Sequence, residues 1–370
     1  MQFVDLHAQQ RRIRNRIEEN IKKVLDHGQY IMGPEIRELE EKLAQYVGTR
    51  YAVGVASGTD ALLISLMAHG IGPGDAIFTS PFTFIATGEV IQLLGAVPVF
   101  ADIQPDTFNI DPGKLEASIQ KTMKQGKYNP RGIIPVDLFG QPADYDEINA
   151  LARDHNLFVL QDAAQSFGAV YKGKKACSHA DVAATSFFPA KPLGCYGDGG
   201  MIFTDSTNLY EKLTSIRIHG KGANKYDNVR VGVNGRLDTL QAAVLLAKME
   251  IFAEEIELRQ TAAKRYEEGL QPPAKVPYIK EYNISVWAQY SLLHPQRDRV
   301  IARLKKHGIP TAIYYPTPLH LQEAFTHLGY QEGDFPISEE VAGKIFSVPM
   351  HPYLSKEDQD KIVDIINSCS

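Results

Sequence analysis

The sequence predicts an α/β protein: a large domain on a mostly parallel, seven-stranded sheet, followed by a smaller α+β C-terminal domain. Two observations carry that reading. Short apolar runs recur through the first 205 residues and alternate with helix-compatible segments. That is the pattern of strands covered on both faces by crossover helices. From Asp238 a long helical pattern takes over and leads into shorter, mixed elements.

The apolar runs are YAVGVA (51–56), DAIFTS (75–80), VPVFAD (97–102), GIIPVD (132–137), LFVLQD (157–162), VAATSF (182–187) and MIFTD (201–205). ALLISLMAHG (61–70) and ADYDEINALARDHN (143–156) read as helices between them. Several runs end in Asp or Ser, the polar residues expected where a strand meets its loop. In open α/β sheets, ligands collect beyond the carboxyl ends of the strands, so the chemistry is sought there. The long helix starts at Asp238, which with Gln241 resembles a capping box. QPPAKVP (271–277) breaks it. The domain division is placed near 250, giving 1–250 and 251–370. In the second part SVWAQYSLLH (285–294) is followed by a helix over 297–308, a strand TAIYY (311–315) and a last helix near 355–367.

Bulk properties narrow the function. The 370 residues carry 39 Lys+Arg against 44 Asp+Glu, a formal net charge of −5. A mildly acidic chain without basic blocks argues against nucleic acid as a partner. Cys177, Cys195 and Cys369 show neither metal-binding nor disulfide spacing, which fits a reducing compartment. The N-terminus lacks the apolar core of a signal peptide, and no stretch approaches the roughly 18 apolar residues of a membrane helix. The expectation is a cytoplasmic protein with no membrane contact. The 11 histidines are scattered, so no metal site is expected.

Three segments at strand ends could carry chemistry. In ASGTDALL (56–63) a Gly-Thr turn opens a helix, where backbone N–H groups with Ser57 and Thr59 form an anion site. The alternative is a helix cap by Thr59 or Asp60. In LFVLQDAAQSFGA (157–169), Asp162 closes an apolar run and needs a cationic or hydrogen-bonding partner. It could instead be a cap or a structural ion pair. Gln165 would face the same space from a helical turn. In SFFPAKPLGCYGDGG (186–200), Pro189 and Pro192 stiffen the chain around Lys191. Apolar surroundings lower a lysine pKa and leave a nucleophilic amine; the alternative is an ammonium that snorkels to solvent. A phosphate cradle, a carboxylate and a nested lysine on one sheet suit pyridoxal phosphate. The glycine fingerprint of a dinucleotide enzyme is missing.

In combination, G-T-D, Q-D-A-A-Q-S-F-G-A, S-F-F-P-x-K-x-L-G-x-x-G-D-G-G and G-x-N-x-R-x-x-x-L-Q-A-A resemble the nucleotide-sugar aminotransferases of the DegT/StrS type. These are fold-type-I, aspartate-aminotransferase-like enzymes. The likeness runs from FVDLHAQQ (3–10) to SVPMHPYL (347–354).

The resemblance implies pyridoxal 5'-phosphate as cofactor, with Lys191 joined to its aldehyde and later carrying the proton. Asp162 would pair with the ring nitrogen and Gln165 would lie near the ring hydroxyl. Phe84 would stack on the ring, unless it is a core residue. Gly58, Thr59 and Ser186 would hold the phosphate. Asn234 would reach the phosphate of a neighbouring subunit, implying a homodimer with shared active sites. The substrates would be an amino-acid donor, L-glutamate, and a nucleotide-linked keto sugar.

NISVWAQY (283–290) and SVPMHPYL most resemble members acting on UDP-2-acetamido-2-deoxy-3-oxo-D-glucuronate in surface-polysaccharide (O-antigen, lipopolysaccharide) pathways. Arg236, Tyr314 and Tyr315 are the candidate substrate contacts, the guanidinium for the sugar carboxylate. Relatives often carry His where this chain has Tyr314. His219 either lines the site or is structural. The alternatives are another UDP- or dTDP-keto sugar, a sugar dehydratase, or a non-catalytic regulatory protein. Family members that dehydrate replace the lysine by histidine, so Lys191 favours transamination.

Overall fold

The computed structural model describes residues 1–224 and 226–369. Helices α1 (Leu6–His27) and α2 (Pro34–Val47) come first and lie on the long helix Thr239–Gly269. Asp5 caps α1 by accepting from Ala8 N at 2.9 Å. Both helices end on left-handed glycines, Gly28 and Gly48, whose N–H groups satisfy carbonyls of the last turn.

Each apolar run forms a strand: β1 (Tyr51–Val55), β2 (Asp75–Thr79), β3 (Val97–Phe100), β4 (Asn129–Ile134) and β5 (Phe158–Asp162). A small hairpin, β6 (Val170–Tyr171) and β7 (Lys174–Lys175), precedes β8 (Val182–Ser186) and β9 (Gly200–Thr204). The seven-stranded sheet has the order β1-β9-β8-β5-β4-β2-β3. Neighbours from β3 through β8 are parallel, and β9 alone runs against both of its neighbours. The mostly parallel sheet expected from the runs is therefore present. β4 stops at Ile134, short of the end of its apolar run, because Pro135 has no N–H to offer a ladder.

One face of the sheet buries Val53, Val55, Ile77, Ile134, Leu160 and Ile202 against helices α3 (Gly58–Ala68) and α4 (Ile85–Leu93). Burying each such side chain contributes ~1.5–3 kcal/mol. This packing fixes the carboxyl ends of β1, β2, β5 and β8 relative to one another.

After the long helix, β10 (Asn283–Ile284) adds to the β6–β7 hairpin, and β11 (Tyr290–Leu293) pairs antiparallel with β12 (Ile345–Val348). Helices Arg297–Lys306 and Lys356–Asn367 complete this region. The long helix joins two cores. Ala242, Leu245 and Phe252 belong to one, while Ala262, Ala263 and Tyr266 belong to the other.

Two local expectations are corrected. TAIYY is not a strand; only Ala312 bridges Ser347, with Pro310 and Pro316 closing the segment on either side. The helix starting after Asp238 has no side-chain cap. Gln241 instead turns to Tyr196, accepting from its N–H at 2.8 Å and donating to its carbonyl at 3.3 Å.

Candidate active site

Asp162 closes β5 and is 4% exposed. Its Oδ2 accepts from Thr87 Oγ1 at 2.8 Å, and its Oδ1 accepts from Ala164 N at 3.2 Å. Burial raises its pKa, opposed by Thr87, the Ala164 N–H and the charge of Lys191. Neither expected alternative holds: Asp162 caps no helix and makes no ion pair among the described residues. Hydrogen-bond donors hold it.

Lys191 lies in a tight turn after β8, its own N–H donating to Phe188 O at 2.8 Å. A Cβ on Gly194 would come within 2.6 Å of that same carbonyl, so only glycine allows the chain to fold back here. Burial pushes the Lys191 ammonium down to about 8, with Asp162 pulling it back up. Lys191 Nζ has no hydrogen bond or salt bridge among the described residues.

The residues of the predicted anion cradle lie at the end of β1. Ser57, not Thr59 or Asp60, caps α3: its Oγ accepts from Asp60 N and donates to Asp60 Oδ2, both at 2.9 Å. Gly58 and Thr59 therefore open the first turn, with their N–H groups at the positive end of the helix. Ser186, at the end of β8, closes on this turn. A Cβ on Gly58 would lie 2.6 Å from Ser186 Cβ. Gly58, Thr59 and Ser186 are thus brought together as the sequence suggested.

Phe84 is not a core residue. It sits just before α4 with 54% of its surface exposed, while Phe82 is the buried phenylalanine of the segment at 1%. The Phe84 ring centroid is 6.3 Å from that of Tyr315. Gln165 Nε2 donates to Tyr315 OH at 3.3 Å, and its Oε1 accepts from Phe139 N at 2.7 Å. Tyr315 is pushed up by burial and by the charge of Asp162, which places it on the same cluster. Tyr314 is half-buried, its ring 5.8 Å from Tyr315 and 6.4 Å from Phe3.

The segment 234–236 lies along the end of β1, where Arg236 bridges Val55 and Gly235 O accepts from Ala56 N at 3.0 Å. Asn234 is exposed, and its Oδ1 accepts from Arg236 Nη2 at 2.6 Å. Arg236 Nε is buried without a partner. His219 is exposed, with a left-handed backbone; among the described residues it makes no hydrogen bond to Asp162 or Lys191.

Sequence reasoning missed Thr87, which the first turn of α4 aims at a carboxylate 75 residues away. The hydroxyls of SPFTFIAT after a strand were the available signal. It also passed over Asp137, the buried residue ending the GIIPVD run.

The residues present fit pyridoxal phosphate. An amine without a partner among the described residues, a carboxylate with free lone pairs, an exposed aromatic ring and a helix start whose glycine lets Ser186 approach lie beyond the carboxyl ends of the sheet strands. No cluster of His, Cys, Asp or Glu able to hold a metal occurs among the described residues, and none of their helices is long and apolar enough to cross a membrane.

Residues 11–367 match the DegT/DnrJ/EryC1/StrS aminotransferase family. The UDP-2-acetamido-2-deoxy-3-oxo-D-glucuronate aminotransferase of Pseudomonas aeruginosa is 51% identical over 355 residues, 96% of each chain. A crystal structure of a DegT/DnrJ/EryC1/StrS aminotransferase from Brucella abortus, 50% identical, superposes with a TM-score of 0.97 over 100% of this chain and 99% of that one. NtdA of Bacillus subtilis, solved with its cofactor PMP bound, gives 28% identity and a TM-score of 0.88 over 98% of this chain and 82% of that one. A match across the whole sheet, the lysine turn and the C-terminal region leaves one assignment: the chain belongs to the DegT/DnrJ/EryC1/StrS aminotransferase family.

Proposed function

We propose that the protein moves an amino group from an amino acid onto a nucleotide-linked keto sugar, and that its cofactor is pyridoxal phosphate. The observation that carries the reading is Lys191 Nζ, pushed down to about 8 and without a partner among the described residues, acting electrostatically on a buried Asp162. When bound, pyridoxal phosphate supplies an aldehyde that takes up nitrogen and a ring that accepts the electron pair of a deprotonated carbon.

The chain's own residues do the rest. Gly58, Thr59 and Ser186 would hold the phosphate, Asp162 the protonated ring nitrogen and Gln165 the ring hydroxyl, with Phe84 against the ring face. Lys191 Nζ, once free, removes the proton from the donor carbon and returns one to the sugar side. Proximity and a pKa near the working pH both favour that transfer.

For the sugar we propose UDP-2-acetamido-2-deoxy-3-oxo-D-glucuronate, supported by the 51% identity with the Pseudomonas aeruginosa enzyme. The donor would be L-glutamate and the setting surface-polysaccharide synthesis in the cytoplasm. Arg236, whose buried Nε has no partner among the described residues, suits the uronate carboxylate, and Tyr315, beside Gln165, and its neighbour Tyr314 would be further substrate contacts. A homodimer with shared sites belongs to this reading. Asn234 is exposed within its own chain, and nearby Val229 and Val231 are exposed apolar residues that a second copy would cover. The domain division near residue 250 belongs to this reading too; on the long helix the change from one core to the other falls between Phe252 and Ala262.

The test is to load the protein with pyridoxamine phosphate and offer UDP- and dTDP-keto sugars one at a time. The uronate should yield the amino sugar by mass spectrometry and return the visible absorbance of the lysine-linked cofactor. Preference for a 6-deoxy keto sugar would overturn the choice of sugar. Release of water without nitrogen transfer would replace transamination by dehydration.

A further inference from the structure

Behind Asp162 lies a second buried carboxylate. Asp137, 0% exposed, follows β4 and has no cationic partner among the described residues. Its Oδ1 accepts from Tyr145 OH at 2.7 Å and Ala143 N at 3.0 Å. Its Oδ2 accepts from Gln161 Nε2 at 2.7 Å and Ser166 Oγ at 2.6 Å. Four donors fill the lone-pair sites of an ionised carboxylate. Burial raises its pKa and the four donors oppose that rise, which leaves it at about 6, so the ionised form predominates at neutral pH.

Two of those donors bracket the turn that carries the cofactor-facing residues. Gln161 precedes Asp162, and Ser166 follows Gln165. The backbones are joined as well: Asp137 N donates to Asp162 O at 3.0 Å, and Asp162 N donates to Pro135 O at 2.9 Å. Gln161 cannot reverse its amide, because its Oε1 already accepts from Cys177 N at 3.1 Å. Tyr145 and Ala143 grip the same carboxylate from outside the turn.

We propose that Asp137 is a positioning residue for the amino-transfer site: its ionised carboxylate clamps the turn 161–166 so that Asp162 and Gln165 are presented to the cofactor ring. This rests on the functional reading above. Asp137→Asn would set its NH₂ against the fixed Gln161 NH₂ in one orientation or against the Ala143 N–H in the other, neither of which can accept, so at least one donor loses its acceptor in a buried place.

The test uses the full-length chain, freed of cofactor and titrated with pyridoxal phosphate while the visible absorbance is read. Asp137→Asn should weaken cofactor binding about tenfold or more and lower kcat while the sugar KM stays near that of the wild type. Ser166→Ala and Tyr145→Phe each remove one donor to the same carboxylate and should lower the melting temperature of the cofactor-free protein alike. Only Ser166→Ala, which acts from within the turn, should also weaken cofactor binding, by severalfold. A folded Asp137→Asn protein with wild-type affinity and kcat would overturn the proposal. If that variant does not fold, equal cofactor affinities in Ser166→Ala and Tyr145→Phe overturn it. Wild type that takes up no pyridoxal phosphate would instead sink the functional reading.

Discussion

Thr87 Oγ1 donates to Asp162 Oδ2 at 2.8 Å, so the start of α4 holds the carboxylate that ends β5. Thr83 Oγ1 stands 3.2 Å from the same hydroxyl and steadies it. A donor to a charged acceptor contributes about 1.5–3 kcal/mol. Thr87→Val, of equal shape, should therefore raise the dissociation constant of pyridoxal phosphate about tenfold, and Thr87→Ser should stay near the wild type. Absorbance titration checks both; a Val variant that binds as tightly as the wild type would show that Asp162 needs no such support.

The reactive form of Lys191 is the neutral amine, and its pKa is pushed down to about 8. The rate at which cofactor-free protein captures pyridoxal phosphate should rise between pH 7 and 9 with a midpoint near 8. The same shift appears in stability. Between about pH 8 and the ordinary lysine value of 10.5, the unfolded chain binds a proton that the folded chain does not, so stability rises with pH there. Below about 8 both states are protonated and the full penalty of the buried ammonium remains. Lys191→Met should then raise the melting temperature of the cofactor-free protein at pH 7, with a smaller gain at pH 10. An unchanged gap across that range would contradict the shift.

Gly58→Ala places a methyl 2.6 Å from Ser186 Cβ, closer than carbon atoms approach. Either the start of α3 or the end of β8 must move, at about 1–3 kcal/mol. Cofactor affinity should fall at least tenfold. Inorganic phosphate, which ought to compete with cofactor in the wild type, should compete poorly in the variant. Kinetics of phosphate competition at fixed ionic strength would read this directly.

Phe84 and Phe82 sit two residues apart with opposite burial, 54% and 1% exposed. Phe82→Ala should destabilise the protein by about 3–5 kcal/mol. Phe84→Ala should change stability by no more than about 0.5 kcal/mol while weakening cofactor binding. Thermal unfolding of the cofactor-free protein, set beside titration, separates the two; a large stability loss from Phe84→Ala would return it to the core.

Arg236→Met removes a guanidinium and keeps an apolar stem. The KM for a carboxylate-bearing keto sugar should rise by about tenfold or more, and that for its 6-deoxy counterpart far less. Equal rises for both sugars would make Arg236 a general contact and leave the carboxylate to another group.

The sheet was legible because each buried strand is a short run of apolar residues, readable without knowing its neighbours. Lys191 and Asp162 were legible for a similar reason: their setting is local, a lysine between prolines and an acid at the end of an apolar run. Thr87 and Asp137 were not, because their roles lie in partners that only folding brings near. Ser57 was passed over as a cap because Thr59 and Asp60 have the same capping chemistry, and backbone geometry alone decides among them. The same holds at Gln241, whose spacing from Asp238 suggested a cap. Its side chain meets a better-placed pair of backbone groups on Tyr196. TAIYY has strand-like composition, but flanking prolines leave it a single bridge on Ser347.

The helix Thr239–Gly269 runs unbroken for 31 residues, a rod about 46 Å long. Its first turns clasp Tyr196, five positions beyond Lys191, and its last turns are built into the C-terminal core. Bending such a rod means opening backbone hydrogen bonds, so the two regions it joins cannot flex against each other at that seam. Any rocking of the C-terminal lobe as a sugar enters has to be absorbed in the irregular chain after Gly269, or be passed along the rod as a lever to the lysine turn. A proline placed in the middle of that helix would sever the lever while touching neither end.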